Sequence, residues 1–386
     1  MERGKVGMPV LTLPIVELDF LGHFPVRKCQ DVIVRHIDNN GSIWASRGLD
    51  LYRARPGDTA FHRVATIPTG RAVMWPFRFD EVRRVTGMHD LVQLYWTHEE
   101  TLIAFSGGFV WRRERDSDPF ERVLELQHWG LGVGRGVLQH GIAQLSCGRL
   151  FFGEYFRNSE DGAVKLFSSD DDGRTWFVIK EFPPGEVRHV HAVITDPYTN
   201  HLWVCTGDTD SQSKILCSTD RGESFDVVGT GSQRWRTCQL LFTETGVYWG
   251  ADTSSTVAYR DIVRMSRHSN APEPLARVDG AVESGAQVGP DLMMFGTSRN
   301  GLEVDSDESP SLWIGREGSE WYRLPVGNWR RKDFRRAAAV QLVANRQAGV
   351  VVVSLVNVSP DRCSAYIVDP AHLQAFITAP KPHANG

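Results

Sequence analysis

The chain has 386 residues, of which 41% are apolar and 23% are charged, a composition typical of a folded globular protein rather than a disordered or fibrous one. Its 43 Lys and Arg residues nearly balance its 47 Asp and Glu residues, and this balance argues against a protein that binds nucleic acid. The longest apolar runs, such as Val350 to Val353, are far shorter than the roughly 20 residues of a membrane helix, so we expect no insertion into a membrane.

The N-terminal segment shares only part of the pattern of an export signal. Arg3 and Lys5 precede an apolar stretch, but Pro9 and Pro14 interrupt it, and acidic residues follow where a small-residue cleavage site should be. We therefore predict a strand over residues 9–20. The six cysteines form no CxxC pair and no dense framework. The sequence favours a cytoplasmic location and leaves export open.

Two segments of the chain repeat one short pattern, Ser-x-Asp-x-Gly-x-Thr/Ser-aromatic. The first runs from Ser169 to Trp176 and the second from Ser218 to Phe225, so the two begin 49 residues apart. A spacing of this size indicates an internal repeat, because periods of roughly 20 to 50 residues are typical of propellers, solenoids and other arrays.

A second pattern, an apolar strand that often carries Gln, recurs along the whole chain. Its copies begin near residues 31, 89, 140, 189, 235, 283 and 337, in steps of 46 to 58 residues. Each copy precedes a turn and a second apolar strand, such as GRLFFGEY or HLWVCTGD, and third and fourth strands follow, such as VKLFSS and TWFVIKEF. With no helical periodicity between them, these units predict an all-β fold, a seven-bladed β-propeller of four-stranded antiparallel blades.

The predicted propeller is a single domain that covers residues 1–386. An open array of blades would leave unpaired edge strands, so the ring has to close. We predict that the strand over residues 9–20 completes the last blade beside residues 364–370. A two-sheet sandwich with coincidental repeats is the alternative fold.

With its Ser-x-Asp-x-Gly-x-Thr-Trp signature the chain resembles the sialidase-like β-propellers, in which this motif is called the Asp box or BNR repeat. The copies that begin at Ser169 and Ser218 are complete, and Gly318 with Trp321 preserves fragments of a third. The resemblance implies that the motif forms the turn between the third and fourth strands of a blade, where Ser and Asp bond the turn backbone and Gly permits the required φ. It identifies an architecture and not a chemistry.

In a propeller the innermost strands all start on one face near the central axis, and the loops after the second strands open on that same face. Titratable and aromatic side chains gather at both places in this sequence, namely Asp31, His89, His140, His189, His191, Trp235, Arg236, Glu283 and Arg336 at the strand starts and Arg47, Glu154, Tyr155, Asp208, Asp210, Asp252 and Arg299 at the strand exits. We predict a binding or catalytic site on this face. The alternative is a solvated channel lining without a ligand.

Among these residues we predict four catalytic groups, because His and Tyr transfer protons readily: His140, His189, His191 and Tyr155. The predicted substrate-binding residues are His89, Glu154, Asp208, Trp235, Arg236, Glu283 and Arg336, with packing between blades as the alternative for Trp235. His189 and His191 lie on one face of a strand, which suits a divalent metal, so a metal cofactor stays an open alternative. Oligogalacturonate lyases, another propeller family, use such a His-x-His pair in a metal site.

The first functional interpretation is a polysaccharide lyase that cleaves an acidic, uronate-containing poly- or oligosaccharide by β-elimination. This reaction needs a base for the C5 proton, an acid for the leaving oxygen and a cation that neutralises the carboxylate. His and Tyr suit the proton transfers, and Arg offers a two-point contact to the carboxylate. This combination of His, Tyr and Arg residues on one face resembles that of the propeller ulvan and rhamnose-glucuronate lyases. We favour this interpretation slightly over hydrolysis.

Two alternatives belong to other functional classes. A glycoside hydrolase of sialidase type would combine Tyr155 as nucleophile with Glu283 and Asp208, and would place Arg236 and Arg336 on the substrate carboxylate. The Phe/Tyr-Arg-Ile-Pro motif of sialidases is missing, and FPVRK at residues 24–28 holds only part of it in another order. The third interpretation is a non-catalytic propeller that binds a glycan or a protein.

Overall fold

The computed structural model describes residues 10–18, 24–129, 136–253, 260–269, 271–299, 309–327, 337–359 and 362–378. Three strands open this part of the chain: β1 (Val10–Thr12), β2 (Ile15–Leu18) and β3 (Phe24–Gln30). The helices are short, namely α1 (Asp80–Thr86), α2 (Pro370–Thr378) and two 3-10 helices at Ala72–Arg78 and Gln233–Trp235. In these ranges no helix has the length and apolar character that crossing a bilayer requires.

Four-stranded antiparallel units follow one another along the chain. The first unit contains β4 (Ile33–Ile37), β5 (Ile43–Arg47), β6 (Asp50–Ala54) and β7 (Ala60–Thr66). The second contains β8 (Gln93–Trp96), β9 (Leu102–Ser106), β10 (Phe109–Arg113) and β11 (Glu121–Glu125). The third contains β12 (Ile142–Gln144), β13 (Leu150–Gly153), β14 (Val164–Ser169) and β15 (Phe177–Phe182).

The later units keep the same order of strands. The fourth contains β16 (His189–Thr195), β17 (Leu202–Gly207), β18 (Lys214–Ser218) and β19 (Asp226–Thr230). The fifth contains β20 (Leu241–Phe242), β21 (Gly246–Gly250), β22 (Asp261–Ser266) and β23 (Pro272–Arg277). The sixth contains β24 (Val282–Gln287), β25 (Leu292–Arg299), β26 (Ser311–Arg316) and β27 (Trp321–Pro325), and the last begins with β28 (Ala338–Asn345), β29 (Val350–Val358) and β30 (Arg362–Val368). The end of β25 also pairs with the start of β28, so the sixth and last units form one continuous sheet. The fold is therefore all-β, as the sequence predicted.

The strand that completes the last unit differs from the prediction. The structure pairs β30 with β3, so that Arg27 lies opposite Ile367, and residues 24–30 rather than 9–20 fill this place. The predicted strand is split, because β1 pairs with β7 at the outer edge of the first unit and β2 pairs with β3. The physical reason is burial: Val26 and Cys29 of β3 face the core, whereas Val10 and Ile15 are exposed.

Glycines at the ends of second strands allow neighbouring units to approach closely. A Cβ on Gly153 would lie 2.3 Å from Cγ1 of Val190 in β16, and a Cβ on Gly250 would lie 2.4 Å from Cγ1 of Val282 in β24. Both distances are far below van der Waals contact, so only glycine permits these strands to pack as they do. The apolar core consequently runs between the sheets, with β16 packed against the third unit and β24 against the fifth.

The two Ser-x-Asp-x-Gly segments form the same turn between the third and fourth strands of adjacent units. In the first turn the Ser169 hydroxyl donates to Asp171 Oδ1 (2.8 Å), and the Gly173 amide donates to Ser169 Oγ (2.9 Å). The amide and hydroxyl of Thr175 both donate to the Asp171 carboxylate, at 2.9 and 2.6 Å. The second turn repeats every one of these bonds through Ser218, Asp220, Gly222 and Ser224.

Each turn is also held by the unit that precedes it. Arg112 of β10 donates from Nε to the carbonyl oxygen of Asp172 (2.9 Å), and Arg149 donates from Nη1 to the carbonyl oxygen of Arg221 (3.0 Å). Asp172 and Arg221 occupy equivalent places and have φ values of 58° and 63°. The motif therefore joins adjacent sheets in addition to closing its own hairpin.

We expect Asp171→Ala to lower the melting temperature by a few degrees and to leave the activity of the folded fraction unchanged. The change removes an acceptor of hydrogen bonds that are worth about 0.5–1.5 kcal/mol each at most, and less here because the turn is partly solvated. Thermal denaturation with Glu160→Ala, an exposed site, as the control measures the effect. A stable Asp171→Ala protein without turnover would contradict a purely structural role.

Candidate functional site

A cavity of about 190 Å³ lies where the first strands of the units begin. Its titratable lining residues are Asp90, His140, Tyr155, Arg236, Cys238, Asp252 and Glu283. The structure thus brings His140 and Tyr155 of the third unit, Arg236 of the fifth and Glu283 of the sixth to one space.

The histidine pair of β16 lies against the ring of Tyr155. The ring centroids of Tyr155 and His189 are 4.2 Å apart, those of Tyr155 and His191 are 6.1 Å apart, and those of the two histidines are 4.8 Å apart. Residues two apart on a strand share a face, which explains how both rings reach the same neighbour. Three of the predicted catalytic side chains therefore form one group.

Asp208, directly after β17, is the common partner of this group. Its Oδ1 lies 3.3 Å from His189 Nε2, 3.4 Å from His191 Nε2 and 2.9 Å from Arg236 Nη2. Burial opposes ionisation of the carboxyl, but the hydrogen bonds from both histidines and the charge of Arg236 outweigh it and hold the pKa of Asp208 well below its usual range. Asp208 is consequently a carboxylate at all ordinary pH values.

Arg236 is bound between two carboxylates. In addition to its contact with Asp208, its Nε lies 3.2 Å from Asp252 Oδ2, and Nη1 donates to the Asp208 carbonyl oxygen (3.2 Å). Burial acts to lower the pKa of Arg236, yet Asp252 and Asp208 raise it above its ordinary value. A Cβ on Gly207 would lie 2.6 Å from His191 Cε1 and 3.1 Å from Arg236 Cγ, so a glycine is needed there for both side chains to fit.

Cys238 completes the buried part of the site. Its thiol donates to Asp252 Oδ2 (3.4 Å) and lies 3.7 Å from His191 Nδ1. Burial, with the nearby charges of Asp252 and Glu283, raises the pKa of Cys238 well above its ordinary value. Cys238 was not among the predicted site residues, although it lies two residues after Arg236 in the chain.

His140 and Tyr155 are in opposite protonation states at neutral pH. Burial lowers the pKa of His140 to about 4, so its ring is neutral, and its Nε2 has no hydrogen-bond partner among the described residues. Burial raises the pKa of Tyr155 well above its usual value, with a smaller contribution from Cys238, Asp252, Asp208 and Glu283. The cavity therefore contains one group able to accept a proton and one able to donate a proton.

Four predicted substrate-binding residues, Asp208 and three others, do not line this cavity, and the predicted catalytic residues His189 and His191 do not line it either. Trp235 is buried in the core, with its ring 5.7 Å from that of Trp249, and fills space between units. His89 borders a separate small pocket with Asp31 and Arg47. Glu154 follows Gly153 and is turned away from the cavity because its neighbour Tyr155 faces into it. Arg336 lies outside the described residues.

Glu154 is a buried carboxyl with one satisfied oxygen. Oε2 accepts a hydrogen bond from the Lys165 amide (2.9 Å), while Oε1 has no partner within the described part of the chain. Burial raises the pKa of Glu154 to about 7, only partly offset by the bond from Lys165. The carboxyl is therefore protonated in the folded protein at mildly acidic pH.

We expect Glu154→Gln to raise the melting temperature at pH 8 and to change it little at pH 5. The folded carboxyl has a raised pKa, so its contribution to stability is complete below the unfolded value near 4.3 and is lost as the pH rises through about 7. Glutamine does not ionise and removes this loss, which is on the order of 3 kcal/mol. Thermal denaturation across this pH range, with the exposed Glu244→Gln as the control, measures it. Parallel curves for Glu154→Gln and the wild type would contradict the assignment.

No protein-family profile matches the chain, and no curated protein matches it either. Among solved structures, that of U3-55K is similar over 93% of this chain and 98% of its own length, with a TM-score of 0.54 and 13% identity. A crystal structure of the mitotic checkpoint complex contains a chain that is similar over 96% of both lengths, with a TM-score of 0.53 and 12% identity. The extracellular domain of a two-component system from B. thetaiotaomicron is similar over 92% of this chain and 39% of its own length, with a TM-score of 0.54 and 10% identity. These likenesses concern the fold alone, and that fold is of the β-propeller type.

Proposed function

We propose that this protein is a carbohydrate-active enzyme that cleaves an acidic, uronate-containing poly- or oligosaccharide by β-elimination. The observation that carries the proposal is the neutral His140 and the protonated Tyr155 on the lining of one cavity, together with Arg236. Acid and base chemistry at neutral pH requires two such groups of opposite protonation state.

The proposed reaction assigns one step to each group. His140 accepts the C5 proton of the uronate, the C4–oxygen bond breaks, and Tyr155 donates its proton to the leaving oxygen. The products are an unsaturated uronate and a new chain end, and proton exchange with solvent returns both side chains to their starting states. Arg236 faces the sugar carboxylate, and the two carboxylates that orient Arg236 also offset its charge, so we expect modest affinity for the substrate.

The cavity volume limits what can enter. A water molecule occupies roughly 30 Å³ of liquid, so a space of about 190 Å³ has room for about one sugar ring. The proposal therefore places a single uronate ring in the cavity and leaves the remainder of the glycan outside it.

Hydrolysis is the second candidate function. The carboxylates of Asp252 and Glu283 line the same cavity as Tyr155, and paired carboxylates or a tyrosine nucleophile are the usual groups of glycoside hydrolases. This acidic lining favours a neutral glycan for that reaction. Asp208 in this interpretation orients the histidines and Arg236 instead of contacting the sugar.

We also infer that the units close into a ring of seven blades as one domain, with the two Ser-x-Asp-x-Gly turns as Asp boxes. The last unit bonds the first, since the Val34 amide donates to Ser354 Oγ (3.3 Å) and Asn345 Nδ2 donates to the Ile37 carbonyl oxygen (3.1 Å). A second cavity of about 1010 Å³ is lined by residues of every first strand from β4 to β28, which supports a central channel. Gln139 borders both cavities and donates to the Leu342 carbonyl oxygen (2.6 Å).

A glycan panel tests the proposed reaction. The full-length chain is incubated with uronate-containing polysaccharides and with matched neutral ones, and both the ultraviolet absorbance of an unsaturated uronate and the number of new reducing ends are followed. Absorbance together with new ends is the expected result. New ends without absorbance would replace elimination by hydrolysis, and neither signal with measurable glycan binding would leave a non-catalytic binding propeller.

A further inference from the structure

We propose that His191, Cys238 and Asp252 bind a zinc ion, or another divalent metal that accepts a thiolate ligand, beside the cavity. Three ligand atoms converge there: Nδ1 of His191, Sγ of Cys238 and Oδ2 of Asp252. All three side chains are buried and come from neighbouring segments of the fourth and fifth units. Imidazole, thiolate and carboxylate are the ligand types that zinc takes in proteins.

The separations of these atoms fit a tetrahedral metal. Zinc binds thiolate sulfur at about 2.3 Å and imidazole nitrogen or carboxylate oxygen at about 2.0–2.2 Å. Tetrahedral corners at those lengths are about 3.5 Å apart for sulfur with nitrogen or oxygen, and about 3.3 Å apart for nitrogen with oxygen. Here Sγ of Cys238 lies 3.7 Å from His191 Nδ1 and 3.4 Å from Asp252 Oδ2, and the latter two atoms are 3.8 Å apart. Displacements of a few tenths of an ångström would place the three atoms at three corners of a tetrahedron around the metal.

A second layer of contacts already orients the ligands. His191 directs Nδ1 toward the proposed metal while its Nε2 lies 3.4 Å from Asp208 Oδ1. A histidine that binds a metal usually donates its other ring N–H to a carboxylate, which fixes the tautomer and the ring plane. Arg236 contacts Asp252 and Asp208 alike and so holds both carboxylates in place.

A bound divalent metal would offset buried negative charge at this site. Asp208, Asp252 and a Cys238 thiolate are anionic, and Arg236 lies between the two carboxylates. A divalent cation adds positive charge where these anions meet, and buried charges are stable only when they are compensated. Arg188, whose Nε lies 3.4 Å from Asp208, is one-third exposed at the rim and is screened by solvent.

The histidine pair that the sequence suggested is a poorer metal site. His189 lies 3.1 Å from the Phe156 carbonyl oxygen through Nδ1 and 3.3 Å from Asp208 through Nε2. Both ring nitrogens of His189 therefore lie within hydrogen-bonding distance of oxygen atoms, and His189 is not part of the cluster of His191, Cys238 and Asp252. The proposed set retains His191 and replaces His189 by Cys238 and Asp252.

Cobalt spectroscopy tests the site without reference to any glycan. The full-length protein in a Cys147→Ser background, which removes the exposed thiol, is treated with chelator and titrated with Co²⁺ and then with Zn²⁺. We expect one equivalent of Co²⁺ to produce a thiolate-to-cobalt charge-transfer band that Zn²⁺ abolishes. Cys238→Ser should lose the band, whereas Cys205→Ser, which removes another buried thiol, should retain it.

A second variant separates positioning from ligation. Asp208→Asn should keep the charge-transfer band and weaken metal affinity by about 10- to 100-fold, as is usual when the carboxylate partner of a ligating histidine is lost. A wild-type protein that binds Co²⁺ without a charge-transfer band, or that binds no Co²⁺, would overturn the proposal whether or not the variants fold. A band that persists in Cys238→Ser would overturn it as well. Because metal binding and glycan cleavage are measured separately, either proposal can fail alone.

Discussion

Replacing Tyr155 with phenylalanine is expected to lower kcat by about 10²- to 10⁴-fold while the dissociation constant of the glycan changes little. The phenol is the proposed acid, and phenylalanine keeps its packing against His189 while removing the proton that the leaving oxygen requires. Steady-state kinetics and direct binding measurements on the same glycan separate the two effects. Tyr198→Phe, at an exposed tyrosine far along the chain, is the matched control.

The same mechanism predicts the shape of the pH profile. A base acts only when it is unprotonated, so kcat/KM should rise as the pH increases through about 4, the pKa to which burial lowers His140. His140→Gln should remove this limb together with most of the activity, whereas His98→Ala, at an exposed residue of the other cavity, should not. Full activity of Tyr155→Phe or of His140→Gln would remove these residues from the reaction.

Asp208→Ala is expected to destabilise the protein by about 3–5 kcal/mol, because it leaves the buried Arg236 with one carboxylate in place of two and removes the acceptor shared by His189 and His191. Denaturant unfolding in the presence of a chelator measures the change without a contribution from bound metal. Asp210→Ala, at the exposed aspartate two residues further on, should stay within about 0.5 kcal/mol of the wild type.

The destabilisation should depend on pH in one direction. The folded pKa of Asp208 is depressed, so its contribution to stability is present above the unfolded value of about 4 and is lost as the pH falls further. The difference between the wild type and Asp208→Ala should therefore shrink as the pH falls below about 4. An equal difference at pH 3 and pH 7 would contradict the depressed pKa.

The sequence predicted the positions of the strands well wherever those strands belong to the internal repeat. The first strands of the units begin at residues 33, 93, 142, 189, 241, 282 and 338, within six residues of the predicted starts, because apolar periodicity and turn residues recur in every copy. The closing strand was misplaced because residues 9–20 and 24–30 are both apolar enough for a strand. Which of them pairs with β30 depends on burial against distant residues.

The location of the candidate site could be predicted from the sequence, but the contacts between its side chains could not. His140, Tyr155, Arg236 and Glu283 share a cavity because strand starts converge in this architecture. Glu154 and Trp235 stand beside two of them in the chain, and only the alternation of side chains decides which neighbour faces inward. Cys238 carried no motif, since a single cysteine in an apolar run is indistinguishable from a small hydrophobic residue.

Arg112 and Arg149 connect neighbouring units in one direction along the chain. In both cases the arginine belongs to the earlier unit, and the turn that it bonds belongs to the later unit. The glycine of each turn also packs closely against a side chain of the earlier unit, which is Ile103 for the first turn and Phe151 for the second. During synthesis the earlier unit emerges first, so each new hairpin can close onto a neighbour that is already in place. In the folded protein the same bonds connect the second sheet to the third and the third to the fourth, so we expect these three sheets to open as one cooperative block.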